Sequence, residues 1–229
     1  HGSMENYAAL KALLVAQVET GGTAVIGIDD PHTRSAADRI ERAGRKVVRV
    51  SVIAPLRDGY YAQVTEHGNR IVRSVAGKAH PAAQLAGIGS LRGAHNAQNA
   101  ACAVAACVAL GLELPDIQKG LVSFPGLAHR MQPIGRKKTA GGHVLYVNDS
   151  KATNADSAAK ALASYQDIFW IAGGKPKTGG IESLAEFWPR IRKAYLVGEA
   201  ADDFAKTLDG KVPYEIDGLL SLAVDAATR

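Results

Sequence analysis

Thr23-Ala-Val-Ile-Gly-Ile28 is the stretch on which the fold turns. It is apolar, too short for a helix, and ends at Asp29-Asp30-Pro31, so it reads as a buried strand. A basic helix from about Thr33 to Ala43 follows, Gly44 closes it, and Val47 to Val52 reads as a second strand. Parallel strands need a crossover long enough to cover the sheet, and this helix supplies it, giving a βαβ unit. Upstream, Met4 to Gln17 carries Tyr7, Leu10, Leu13 and Leu14 at helical spacing and predicts an amphipathic helix.

Downstream the pattern changes and then returns. Tyr60 to Val64 and Arg70 to Val75 flank Glu66-His-Gly-Asn69 as a hairpin, and a loop holding Gly77, Pro81, Gly87 and Gly89 follows. Residues 97–110 predict a buried, alanine-rich helix closed by Gly111, and Pro115 opens a short one. After Phe124-Pro-Gly the α/β rhythm restarts: strand 144–147, helix 155–163, strand 168–172, helix 182–188, strand 194–197, helix 200–207, strand 212–216 and helix 218–227. The fold class is therefore α/β in two domains, residues 1–126 and 127–229.

Composition bounds the function. With 47% hydrophobic and 21% charged residues, 229 residues can bury a real core. The mean hydropathy is −0.04 and no apolar run approaches a membrane span. The net charge is 27 − 22 = +5, divided as 13 − 10 up to residue 128 and 14 − 12 after it, so no basic stripe forms. Arg136-Lys137-Lys138, the one tight basic run, reads as the solvated face of a hairpin. With 6% aromatic residues, stacking platforms for nucleic acid are also scarce. Cys102 and Cys107 suit neither a disulfide framework nor a zinc knuckle, and the histidines lack metal-ligand spacing. No nucleic acid, no membrane and a reducing cytoplasm follow.

In open α/β sheets, ligands collect beyond the carboxyl ends of the strands. Asn148-Asp-Ser-Lys-Ala-Thr-Asn154 leaves a strand in that way and packs an acid, a lysine, hydroxyls and amides together. Asp149 suits ribose hydroxyls or a metal-bound phosphate; Lys151 and Thr153 suit an anion near a helix N-terminus. Asn154 alone would be explained as an N-cap. Gly173-Gly-Lys-Pro-Lys-Thr-Gly-Gly180 leaves the next strand, with Lys175 or Lys177 as anion ligands. It matches no dinucleotide fingerprint, and the sequence holds no G-x-x-x-x-G-K-[ST] loop. Asn96 and Asn99 share one helical face, where an amide can read an adenine edge, although a cap would explain them as well. Lys11, four residues after Tyr7, reads by itself as a surface lysine.

Taken in order, Gly-Ala-His-Asn-Ala-Gln-Asn99, Phe124-Pro-Gly-Leu-Ala-His-Arg130, Asn148 to Asn154 and Gly173-Gly-Lys-Pro-Lys177 resemble the Mur ligases, in the branch that adds D-glutamate. The resemblance implies the second part of a central P-loop-type ATPase domain, followed by a Rossmann-like C-terminal domain. It implies ATP and magnesium, with UDP-N-acetylmuramoyl-L-alanine and D-glutamate as small-molecule substrates, in a cytoplasmic monomer. By position it assigns Lys11 to a carbamylated lysine holding magnesium, and Asn96, Asn99, Arg130 and Asp149 to ATP. Lys151, Thr153 and Lys177 it assigns to D-glutamate and the growing product, the two lysines with catalytic roles. The family's UDP-binding domain, P-loop and final strands have no counterpart here, so the chain is expected to be an internal fragment without ligase activity. A non-catalytic nucleotide-binding remnant and a folylpolyglutamate synthase-like ligase are the alternatives.

Overall fold

The computed structural model describes residues 2–65, 68–139 and 141–229. Two compact units divide the chain, one ending at Gly126 and the other Leu127–Arg229.

The first unit is built on a mixed sheet in the order β1 (Thr23–Gly27), β2 (Lys46–Ser51), β3 (Gly59–Thr65), β4 (Gly68–Val75) and β5 (Lys78–Gln84). β1, β2 and β3 run parallel, and β3, β4 and β5 are antiparallel. Helix α2 (Pro31–Arg42) makes the crossover between β1 and β2. Asp30 caps it by accepting from the His32 and Thr33 N–H groups, and Pro31 at the first turn has no N–H to waste. Its Ala37 and Ile40 bury against Ala24, Ile26 and Ile28. On the other side lies α3 (Ala94–Ala109), where Ala97, Ala101 and Val104 pack with Val50, Tyr60 and Ile71. The small alanine face lets the helix sit close to the sheet. Each fully buried valine or isoleucine there contributes roughly 1.5–3 kcal/mol. Helix α4 (Leu114–Ser123) adds Ile117 and Leu121 to this core.

Two expectations change in this unit, and a third falls partly outside the described residues. The first helix, α1 (Met4–Ala16), buries no residue, and Leu13 and Leu14 are 56% and 76% exposed. Its less exposed side carries Ala12 and Val15, which line a small cavity together with Ala36 and Ile40 of α2, and the leucines stay exposed. The segment around Pro81, read as a loop, is the edge strand β5; Pro81 sits where the β4–β5 register shifts, and an edge tolerates its missing N–H. Glu66 and His67 of the expected hairpin loop lie outside the described residues, while the antiparallel pairing that it joins is present.

The second unit holds a parallel sheet in the order β10 (Tyr214–Gly218), β9 (Ile191–Val197), β8 (Ile168–Gly173). Helices α5 (Ala155–Ser164), α6 (Ala201–Leu208) and α7 (Leu220–Thr228) accompany it. Leu184, Leu196 and Leu208 are among its fully buried side chains. The strand expected at 144–147 is β7 (Gly142–Asn148), but it pairs antiparallel with β6 (Gln132–Thr139) as a separate two-stranded ribbon. Residues Glu182–Arg190 form a 3-10 helix in place of an α-helix; Pro189 within it cannot supply the hydrogen bond that a further α-turn requires. Among the described residues, no helix is long and apolar enough to cross a membrane.

Candidate functional site

In the first unit, polar groups gather where β1 and β2 end. The Asp29 carboxylate accepts from Ser51 Oγ at 2.6 Å, from the Val52 N–H at 2.8 Å and from Gln98 Nε2 at 2.7 Å. Ser51 is buried, so its hydroxyl needs this partner. Gln98 lies in α3 between the two asparagines of interest, and a Cβ on Gly27 would stand 3.1 Å from its amide. One carboxylate thus ties the starts of two loops to the helix that presents Asn96 and Asn99. Asn96 Nδ2 donates to the Arg92 carbonyl at 2.9 Å, and Asn99 Nδ2 reaches Asn96 Oδ1 at 3.5 Å. The helix N-cap, Gly93, makes no side-chain cap bond, so neither asparagine serves as the cap. Asp29, Ser51 and Gln98 escape sequence reading because each has an ordinary local explanation; the one available signal is an acid placed directly after a buried strand.

Lys11 is exposed on α1, with its Nζ 5.5 Å from the centre of the Tyr7 ring. Among the described residues no group of three His, Cys, Asp or Glu side chains could hold a metal ion. An unmodified ammonium repels magnesium, which needs oxygen ligands. The residues present therefore do not make a magnesium site by themselves.

In the second unit, two loops are clasped together. Residue 127 bridges residue 130, and His129 and Met131 take the left-handed backbone at φ 63° and 45°. Asp149 Oδ1 accepts from the Met131 N–H at 2.9 Å, and the His129 carbonyl accepts from the Lys151 N–H at 3.1 Å. These bonds bring Asp149 next to the backbone of Arg130. The Ala152 N–H donates to the Asp149 carbonyl at 2.8 Å and the Thr153 N–H to the Lys151 carbonyl at 2.9 Å, so the loop is a tight double turn. It delivers the chain to α5, whose cap is Asn154, accepting from the Ser157 N–H at 2.8 Å. Lys151 and Thr153 are exposed just ahead of that helix start, where backbone N–H groups and the helix dipole favour anions.

Lys177 is carried by the loop after β8. Gly173 there has φ 148°, and a Cβ on it would collide with the Val197 carbonyl. The Gly174 N–H donates to that carbonyl at 2.9 Å, and the Gly174 carbonyl accepts from the Ala200 N–H at 2.9 Å. A Cβ on Gly198 would lie 3.0 Å from Gly174 Cα. The lysine loop is therefore anchored at its root to the turn following β9. The two lysine-bearing loops leave strands of different sheets, β7 and β8. Among the described residues, Arg130, Lys151 and Lys177 make no ion pair, unlike the paired Lys193–Glu215 and Lys206–Asp203.

A mixed sheet with a βαβ entry, followed by a unit whose loops present cations near a helix start, defines a two-unit α/β class with loops suited to anions. Comparison with known proteins narrows the class. Residues 1–107 match the Mur ligase middle domain. The UDP-N-acetylmuramoylalanine–D-glutamate ligases of Nitrobacter hamburgensis and of Rhodopseudomonas palustris strain HaA2 are 59% and 61% identical over all 229 residues, 47% of each relative's length. The MurF ligase from Thermotoga maritima in complex with ADP superposes with a TM-score of 0.60 at 18% identity, over 91% of this chain and 47% of that one. Along its whole length the chain is similar to Mur ligases. It spans about half the length of the curated relatives it matches.

Proposed function

We propose that these residues form the nucleotide- and amino-acid-binding part of a ligase that adds D-glutamate to UDP-N-acetylmuramoyl-L-alanine. In this reading the residues up to Gly126 belong to the central ATPase domain, and those from Leu127 to a Rossmann-like C-terminal domain. ATP transfers its γ-phosphoryl group to the substrate carboxylate; the D-glutamate amine then attacks the acyl phosphate, the C–N bond forms and phosphate leaves. Such chemistry is chiefly positioning and charge neutralisation. Asn96 and Asn99 would meet the adenine, with Arg130 and Asp149 on the remainder of the nucleotide. Lys151, Thr153 and Lys177 would meet the carboxylates of D-glutamate and the product. Magnesium belongs to the reading only if Lys11 is carbamylated, which would turn a cation into an oxygen ligand, and no step is assigned to it here.

The observation that carries the reading is the clasp between residues 129–131 and 149–151, which sets an acid beside Arg130 and holds Lys151, without an ion pair among the described residues, ahead of α5. The close relatives' name supplies the substrate class. The test is a full-length ligase in which these 229 residues replace the matching segment of the Rhodopseudomonas palustris relative. ATP-dependent phosphate release with UDP-N-acetylmuramoyl-L-alanine should require D-glutamate and fail with L-glutamate. Equal turnover with L-glutamate, or with a folate, would refute it. The 229 residues alone, having no phosphate-gripping glycine loop, should release no phosphate; turnover like that of the whole ligase would overturn that part.

A further inference from the structure

The connection entering the second unit is more constrained than a tether needs to be. His129 and Met131 both occupy the left-handed region without being glycine, with Arg130 between them. Such a conformation is costly and persists only where its surroundings enforce it, most often at functional sites. Burial does not explain His129, which is exposed. Hydrogen bonds do. Its N–H donates to Gln132 Oε1 at 2.9 Å, its carbonyl accepts from the Lys151 N–H at 3.1 Å, and its ring Nδ1 meets Asn148 Nδ2 at 3.0 Å. The Asn148 amide has its orientation set, because its Oδ1 accepts from the Ser150 N–H at 3.1 Å. Nδ2 must therefore face the ring as a donor, so Nδ1 presents a lone pair and the ring proton sits on Nε2.

We propose that His129 is a positioning residue: its neutral imidazole, bonded through Asn148, holds the left-handed turn that keeps Arg130 and Asp149 in one nucleotide-binding geometry. The proposal rests on the reading of Arg130 and Asp149 as nucleotide contacts. It adds that the neighbouring histidine acts through Asn148 and not on the reacting atoms. A residue of this kind alters ligand affinity more than it alters the fold.

The test uses the full-length ligase carrying these 229 residues. His129→Ala should raise KM for ATP about tenfold, the size expected of a group that orients a ligand-binding residue. KM for D-glutamate should not change, and Tm should stay within about one degree. His129→Asn, whose short polar side chain tolerates the left-handed backbone, should bring KM for ATP back to within about threefold. His129→Gly removes the strain and the ring together and should resemble alanine. Recovery by glycine would show that only the backbone matters and would overturn the proposal. So would an alanine variant that loses Tm and both KM values together, or one that changes nothing. Asp149→Ala separates the two readings. If it leaves KM for ATP unchanged, the nucleotide assignment falls and the proposal with it; if it raises KM while His129→Ala does not, only the positioning role falls. In the 229-residue chain, His129→Ala should also speed hydrogen exchange at the Met131 and Lys151 amides but not in β8 and β9. Unchanged exchange at those two amides would count against the proposal equally.

Discussion

The two units handle their polar groups in opposite ways. Near the start of α3, the Asp29 carboxylate has three donors, and Asn96 and Asn99 bond to one another and to the Arg92 carbonyl. In the second unit, Arg130, Lys151 and Lys177 have no carboxylate partner among the described residues. A satisfied cluster serves as scaffold, since its bonds are already made and breaking them costs the desolvation of each group. A cation with no internal partner gives up only hydration, and no protein bond, when an anion arrives. On the proposed reading, the difference separates the part that shapes a pocket from the part that grips.

The sharpest way to break this contrast is to remove a gripping charge. In the full-length ligase, Lys151→Met should cut the rate of phosphate release about 10²- to 10³-fold, as expected when a charge-stabilising donor is lost. The Tm should hold, and a loss under about threefold would show that Lys151 does not grip. The scaffold should behave in reverse. Asp29→Ala leaves Ser51 Oγ, the Val52 N–H and Gln98 without their acceptor and should destabilise the first unit by about 1–3 kcal/mol in urea unfolding. KM for D-glutamate should be unaffected, and an unshifted urea midpoint would mean that the cluster is decorative. Asn99→Ala should raise KM for ATP about tenfold, the value of one amide–adenine pair. No change would detach α3 from the nucleotide. The smallest effect concerns Cys102, whose thiol burial, with the nearby Asp29 charge, pushes up to about 11. Because only the thiolate reacts, its labelling rate should climb about tenfold per unit between pH 8 and 10. A plateau below pH 9 would place it in an exposed setting.

Elements whose sequence repeats a local rule were legible. The βαβ entry was visible from two apolar runs around a capped basic helix, and Asn154 was recognisable as an N-cap. β5 was not, because Lys78-Ala-His-Pro-Ala-Ala-Gln84 has little strand propensity and forms by pairing with β4. The leucines of α1 misled for a related reason: periodicity reveals a face, and only packing reveals what covers it. Of the candidate site residues, Asp149, Lys151 and Thr153 stood out by their density in one loop, whereas Lys11 was nominated by family resemblance alone. Asp29 acts through partners distant in sequence and leaves only an acid after a buried strand as its mark, while the backbone conformation of His129 leaves none.

The close approach of Gly198 to Gly174 makes the turn after β9 a handle on the lysine loop. Glu199, exposed at the tip of that turn, is one residue from each anchoring contact. A fluorophore attached there would report movement of the Lys177 loop. On the proposed reading of Lys177, lengthening the turn would detune amino-acid selectivity.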